Sequence, residues 1–296
     1  MKKRILSAIL ALTTAAALAA CATTTPPAGN SPAEEAAEES AEAAEETAEG
    51  AEAGETAAAD DELAAIQAAG VITVGIEGTY PPYCYHDESG ALVGFEVETA
   101  QAIAEKLGVK AEFVEADWDS LIAGMQAGRF NVMLNDVTPT EERKESFDFT
   151  EPYTYVHDVL IVESGNEDIK TFEDLKGRNT SNTISSTFAQ IAESYGAKVT
   201  PIDTFEQSVE MVASGRAEAT INSELVFADY MKNNPDAPLK VVASTEEVAV
   251  TAIPVSKGQQ NLVDALNKAI DELREDGTLG ELSVKYFDVD VTVQPE

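Results

Sequence analysis

Val71-Ile72-Thr73-Val74-Gly75-Ile76 opens the stretch whose organisation decides the fold. It is a short, β-branched, almost wholly apolar run, which reads as a buried strand. The periodicity then changes. Residues 96–107 place Val97, Ala100, Ala104 and Leu107 on one helical face, and Gly108 closes the helix. A second strand is expected at 110–115. Asp119 is expected to cap a helix running to Ala127, which Gly128 ends, and 130–134 supplies a third strand. The order β-α-β-α-β is that of a doubly wound α/β lobe.

The same texture recurs downstream. A strand is expected at 179–184, a helix at 188–195, a strand at 198–202, a helix at 205–213 and a strand at 217–222. Ala127-Gly128-Arg129 precedes a strand in the first half, and Ser214-Gly215-Arg216 precedes one in the second. Beyond residues 248–254 comes a long helix at 259–275, with Leu262, Leu266, Ala269, Ile270 and Leu273 forming its apolar stripe. Gly277 stops it, and a last helix leads to Tyr286-Phe287.

The 296 residues carry a formal net charge of −35 and two cysteines, a length suited to about two domains. The acidic excess is concentrated at 31–62, almost all Ala, Glu, Gly, Ser and Thr. Such a composition cannot bury enough apolar surface to offset the entropy of ordering, so 21–62 reads as a disordered acidic tether. The 19 basic residues are scattered among 54 acidic ones, which excludes the clustered cations that nucleic acid requires. Lys2, Lys3 and Arg4 precede an apolar run at 5–20, too short for a comfortable membrane span. Residues 1–20 therefore read as a signal peptide. Its end, Leu18-Ala19-Ala20-Cys21, resembles a bacterial lipobox, and the resemblance implies cleavage before Cys21 and a lipid on it. The alternative is an ordinary secretory signal with an incidental cysteine. With Cys21 lipidated, Cys84 has no partner for an intramolecular disulfide, and it reads as a small buried hydrophobe.

Further motifs carry a family resemblance. Gly78-Thr79-Tyr80-Pro81-Pro82-Tyr83 and Gly90-Ala91-Leu92-Val93-Gly94-Phe95-Glu96-Val97 resemble the opening of the polar amino-acid solute-binding proteins of ABC importers, solute-binding protein family three. The likeness continues through Asp117-Trp118-Asp119-Ser120-Leu121-Ile122, Thr138-Pro139-Thr140-Glu141-Glu142-Arg143 and Phe147-Asp148-Phe149-Thr150-Glu151-Pro152-Tyr153. It closes with Asp276-Gly277-Thr278-Leu279 and Lys285-Tyr286-Phe287. The resemblance implies a two-lobed α/β periplasmic-binding-protein-like fold of type II, with two crossover strands near 155–159 and 250–253. Lobe one would comprise 63–156 plus 251–292, and lobe two 157–250.

It also implies that an amino acid sits in the interlobe cleft, with cystine as a candidate. Arg143 is the expected carboxylate clamp, because a guanidinium fork matches a carboxylate bidentately. A cation in the first turn of a helix opposes the macrodipole unless an anion faces it. The plain alternative is a solvent-exposed arginine. Ser185, Ser186 and Thr187 precede the helix at Phe188, where hydroxyls and free N–H groups favour an anion; simple capping is the alternative. Thr138 matches a hydroxyl that contacts the ligand backbone. Many relatives carry Asp where this chain has Ser223, which leaves the ammonium to Glu224, Asn222 or Asp136. Glu224 and Asp136 could equally be solvated loop acids. Glu77, Tyr80, Tyr83, Trp118 and Phe188 match positions that frame the ligand side chain, although Tyr83 or Trp118 could be interlobe core. Asn135 and Thr183 complete the expected set.

Implied partners are the amino acid, the importer's permease and, through the lipid only, the outer face of the cell membrane. The chain is expected to be a monomer without cofactor or metal: His86 and His157 lack metal-ligand spacing. Two other readings share the fold. A dehydratase-like enzyme would use Glu77 or Glu224 as a cleft acid, but no nucleophile–base pair stands out. A sensor domain would need an output module.

Overall fold

An αL glycine joins the first two elements of the described chain. The computed structural model describes residues 61–295, so the expected signal peptide, Cys21 and nearly all of the expected tether lie outside it. Helix α1 (Glu62–Ala69) starts on Asp61, whose carboxylate accepts the Ala64 N–H, and ends at Gly70 with φ 71°. It buries Ile66 and begins at the edge of the segment expected to be tether. Strand β1 (Val71–Ile76) follows as expected. A side chain at Gly75 would strike the Phe130 ring, so only glycine lets that ring lie flat on the strand.

β2 (Thr79–Tyr80), β3 (Cys84–His86) and β4 (Leu92–Val93) form a small antiparallel meander. Next come α2 (Phe95–Leu107), β5 (Lys110–Glu115), α3 (Trp118–Gln126), β6 (Val132–Met133), α4 (Glu141–Ser146), β7 (Phe147–Phe149) and β8 (Thr154–Val156). The middle of the chain supplies β9 (Asp158–Glu163), β10 (Asn179–Asn182), α5 (Thr187–Ser194), β11 (Lys198–Pro201), α6 (Phe205–Ala213), β12 (Ala219–Ser223), α7 (Glu224–Asn233) and β13 (Leu239–Ser244). β14 (Ala249–Thr251) and β15 (Pro254–Ser256) return, and α8 (Gln260–Glu275) and α9 (Thr278–Phe287) finish the fold.

Two sheets of five strands define two lobes. The first runs β5-β1-β6-β15-β7 and the second β11-β10-β12-β9-β13. In each, the strands that alternate with helices are parallel, whereas β15 and β9 are antiparallel to their neighbours. The chain leaves the first sheet through β8 and re-enters it through β14. These two strands pair antiparallel, Tyr155 opposite Val250, and are the expected pair of crossovers. The fold is thus the expected two-lobed α/β architecture. α8 and α9 pack on α2 of the first lobe. Leu262, Leu266, Ile270 and Leu273 are buried at helical spacing on α8, each contributing about 1.5–3 kcal/mol of transfer free energy.

Several expectations shift. Asp117, not Asp119, caps α3: it stands just before the first helical residue, and its carboxylate accepts the otherwise unpaired Ser120 N–H at 2.9 Å. The expected strand at 130–134 shortens to Val132–Met133, and that at 179–184 ends at Asn182, because the chain turns into the cleft at both places. α7, β9 and β13 were not anticipated.

Candidate ligand-binding cleft

The parallel strands of both sheets end on the same space. Glu77 follows β1, Asn135 and Asp136 follow β6, and Ile202 and Asp203 follow β11. Asn182 and Asn222 stand at the ends of β10 and β12. The amino ends of three helices meet them: Trp118 of α3, Ser186, Thr187 and Phe188 at α5, and Thr204 and Phe205 at α6. Thr183 and the hairpin residue Tyr80 complete most of the wall. The space encloses about 580 Å³, part of it open to solvent. Strand carboxyl ends and helix amino ends are where α/β folds bind ligands, because unpaired N–H groups and loop side chains converge there.

Of the residues expected in the site, Glu77, Tyr80, Trp118, Asn135, Asp136, Thr183, Ser186, Thr187, Phe188 and Asn222 line this space. Arg143 stands beside it, 8 % exposed. Its guanidinium lies 5.1 Å from the Trp118 ring centroid and donates to the Thr138 carbonyl at 2.9 Å and the Ser185 carbonyl at 3.2 Å. Among the described residues no carboxylate lies within 4.0 Å of it. Burial lowers its pKa to about 10, so it remains a cation at neutral pH. A buried cation without an anion carries a desolvation cost that a bound anion would relieve. Thr138 and Ser185 thus serve Arg143 through their carbonyls, and the Ser185 hydroxyl bonds Asp119. Ser186 caps α5, accepting from Ala189 N–H at 3.1 Å.

Like Arg143, Thr138 and Ser185 are not part of the lining itself, and three further expected residues lie away from the space. Tyr83 is fully buried, stacked on Tyr80 at 5.6 Å and packed against Phe287 at 5.1 Å, so it belongs to the first lobe's core. Ser223 is 2 % exposed, with its hydroxyl 3.5 Å from the Tyr83 phenol. Glu224 is the first residue of α7 and turns to the crossover, where its carboxylate accepts the His157 N–H at 3.4 Å. Both lie off the wall because β12 runs to Ser223 and the chain then enters α7 at once.

The acids of the first lobe form a buried set. Glu77 accepts from Asn135 Nδ2 at 2.6 Å and from the Trp118 N–H, and burial raises its pKa to about 7. Glu96 is wholly buried; it accepts the Tyr153 hydroxyl and the Asp136 N–H, and burial raises it to about 8. Asp136 sits at φ 50°, held by that Glu96 contact, and accepts from Thr251 Oγ1 at 2.7 Å. Burial raises Asp136 to about 6, against the opposing effects of Thr251 and the nearby Arg143. Asp158, opposite Ser223 in the β9–β12 register, is raised to about 7 by burial and by Asp136 and Glu224.

Sequence reasoning missed Thr79 on the first lobe's wall and Asn182, Ile202, Asp203, Thr204, Phe205 and Ser208 on the second's. Ser208 left a signal, a hydroxyl among Phe205, Val209 and Val212 on the apolar face of α6. Asn182 Oδ1 and Trp118 Nε1 are buried without a hydrogen-bond partner among the described residues.

Residues 72–289 match the model of the bacterial extracellular solute-binding proteins, family 3. The chain belongs to that family. This solute-binding protein is 40 % identical, over 77 % of its length and 88 % of the relative's, to a probable amino-acid ABC transporter-binding protein of Haemophilus influenzae. It is 37 % identical to the L-cystine-binding protein TcyA of Bacillus subtilis, over 78 % of its own length and 87 % of that protein's. Among solved structures, an ancestral arginine-binding protein bound to arginine matches with a TM-score of 0.70 at 39 % identity, covering 74 % of this chain and 98 % of that one. The unliganded, open L-cystine solute receptor of Neisseria gonorrhoeae matches at 0.54 and 42 % identity, covering 76 % and 95 %. Here the lobes touch through Tyr80–Asn222, Arg143–Ser185 and Ser185–Asp119.

Proposed function

We propose that this chain is the substrate-binding lipoprotein of an ABC importer, capturing a polar amino acid between lobe one (63–156 plus 251–292) and lobe two (157–250). Arg143 is the observation that carries the reading. It is a buried guanidinium with no carboxylate partner among the described residues, and it spans from α4 to the α5 turn of the other lobe. An α-carboxylate arriving from the cleft would supply the missing anion, and the α5 amino end would face it from the second lobe. Glu77, Tyr80, Trp118 and Phe188 would frame the ligand side chain, whose aliphatic or disulfide stem suits aromatic walls. The likeness to cystine-binding relatives makes cystine the first ligand to test. Cys21 would carry the lipid, holding a monomer near the permease on the outer face of the membrane.

A thermal-shift screen of the twenty amino acids and L-cystine tests the assignment. A ligand at a hundred times its dissociation constant should stabilise the protein by about 2.7 kcal/mol. No shift with any of them would remove the amino-acid reading.

A further inference from the structure

A ligand ammonium enclosed in this cleft loses its water and needs an accessible anionic acceptor. Ser223 is neutral and covered, and Glu224 is turned to His157. Asn222 cannot serve, because its Oδ1 already accepts the Tyr80 hydroxyl at 2.7 Å and the Ser223 N–H at 2.9 Å. Flipping that amide would set its donors against the Ser223 N–H. Glu77 is engaged by Asn135 and Trp118, Asn182 Oδ1 is neutral and shielded, and Asp203 is exposed at the rim. Asp158 does not line the space.

Asp136 remains. It lines the cleft, and one carboxylate oxygen accepts from Thr251 while the other has no hydrogen-bond partner among the described residues. The backbone there takes φ 50°, a conformation uncommon for a non-glycine residue, and the two Glu96 oxygens hold it by accepting the Asp136 N–H at 2.9 and 3.0 Å. The arrangement aims one acid from the loop after β6 at the space beside Arg143.

We propose that Asp136 is the ion partner of the ligand's α-ammonium in this chain, doing the work that the sequence resemblance assigns to an acid at position 223. Arg143 and Asp136 then form a cation–anion pair of sites that reads the zwitterion head. Thr251, on crossover β14, ties the ammonium site to the hinge. The inference rests on the amino-acid reading.

The test titrates the full-length protein and Asp136→Asn with the amino acid that binds the wild type best in the screen of twenty plus L-cystine. It repeats both titrations with that ligand's analogue carrying hydrogen in place of the ammonium. Asn keeps the shape and tolerates φ 50°; Asp136→Gly serves if Asn fails to fold. The wild type should prefer the amino acid over the analogue by at least tenfold, and the variant should lose at least tenfold for the amino acid and little for the analogue. Unchanged affinity in the variant, or an equal loss for both ligands, overturns the role. A wild type that binds none of the screened ligands fails at the amino-acid reading instead and takes the Asp136 role with it.

Discussion

The Tyr80 hydroxyl donates a 2.7 Å hydrogen bond to Asn222 Oδ1, linking the β2 hairpin of the first lobe to the end of β12 in the second. Both residues line the cleft, so the bond can exist only when the lobes are together. It belongs to the same closure as the Arg143 bond to the Ser185 carbonyl.

Tyr80→Phe should weaken ligand binding by roughly two- to tenfold, the loss of one net hydrogen bond of about 0.5–1.5 kcal/mol. The ring and its stacking on Tyr83 remain, so the melting temperature of the ligand-free protein should hardly move. Equal affinities for variant and wild type by titration calorimetry would show that this contact does not help hold the closed form.

Stability should fall as pH rises from about 5 to about 8 in the ligand-free protein. Asp136, Glu77, Asp158 and Glu96 are held at about 6, 7, 7 and 8, chiefly by burial. An acid whose folded pKa lies above its unfolded value keeps protons in the folded state that the unfolded chain releases, so raising pH through that window favours unfolding. His86, raised by its bond to Glu115, acts in the same direction from the surface. The lowered carboxyls, Asp117 and Asp276 among them, titrate below the window. Thermal melts at successive pH values check the slope, and Glu96→Gln should flatten it. A melting temperature that rises between pH 5 and 8 would contradict the buried-acid description.

The regular elements were legible wherever the apolar period was clean. β1, β5 and α6 have the expected bounds, and α8 differs by one residue. α1 was hidden because it buries one side chain, Ile66, and adjoins an Ala-Glu tract. α7 was missed although Ser223 and Glu224 are residue types that open helices, because both are expected as cleft residues; the Ser223 side chain makes no capping bond. The loss matters, since α7 carries Glu224 away from the cleft. In the site, residues at strand ends and helix starts could be named from motifs. The Glu96–Asp136–Thr251 chain could not, because it joins positions 40 and 115 residues apart. No local pattern announces such pairings.

Cys21→Ser should abolish lipid labelling and release the protein from membranes, while a chain beginning at Asp61, the cap of α1, should bind ligand with unaltered affinity. Membrane fractionation and titration check the two halves. Retention of the Cys21 variant on membranes, or a large affinity loss on truncation, would refute the anchor and tether respectively.

The carboxylate clamp is the central claim, and titration calorimetry of Arg143→Ala and Arg143→Lys with the amino acid selected by the screen tests it most directly. Losing the guanidinium leaves a desolvated carboxylate half paired, a penalty of about 2–5 kcal/mol. Affinity should therefore drop at least tenfold in Arg143→Ala. Arg143→Lys should also bind poorly, because it keeps the charge but loses the fork and its stacking on Trp118. Circular dichroism should stay native in both. Native-like affinity in Arg143→Ala with an unchanged spectrum would contradict the account and turn the search to a ligand without a carboxylate.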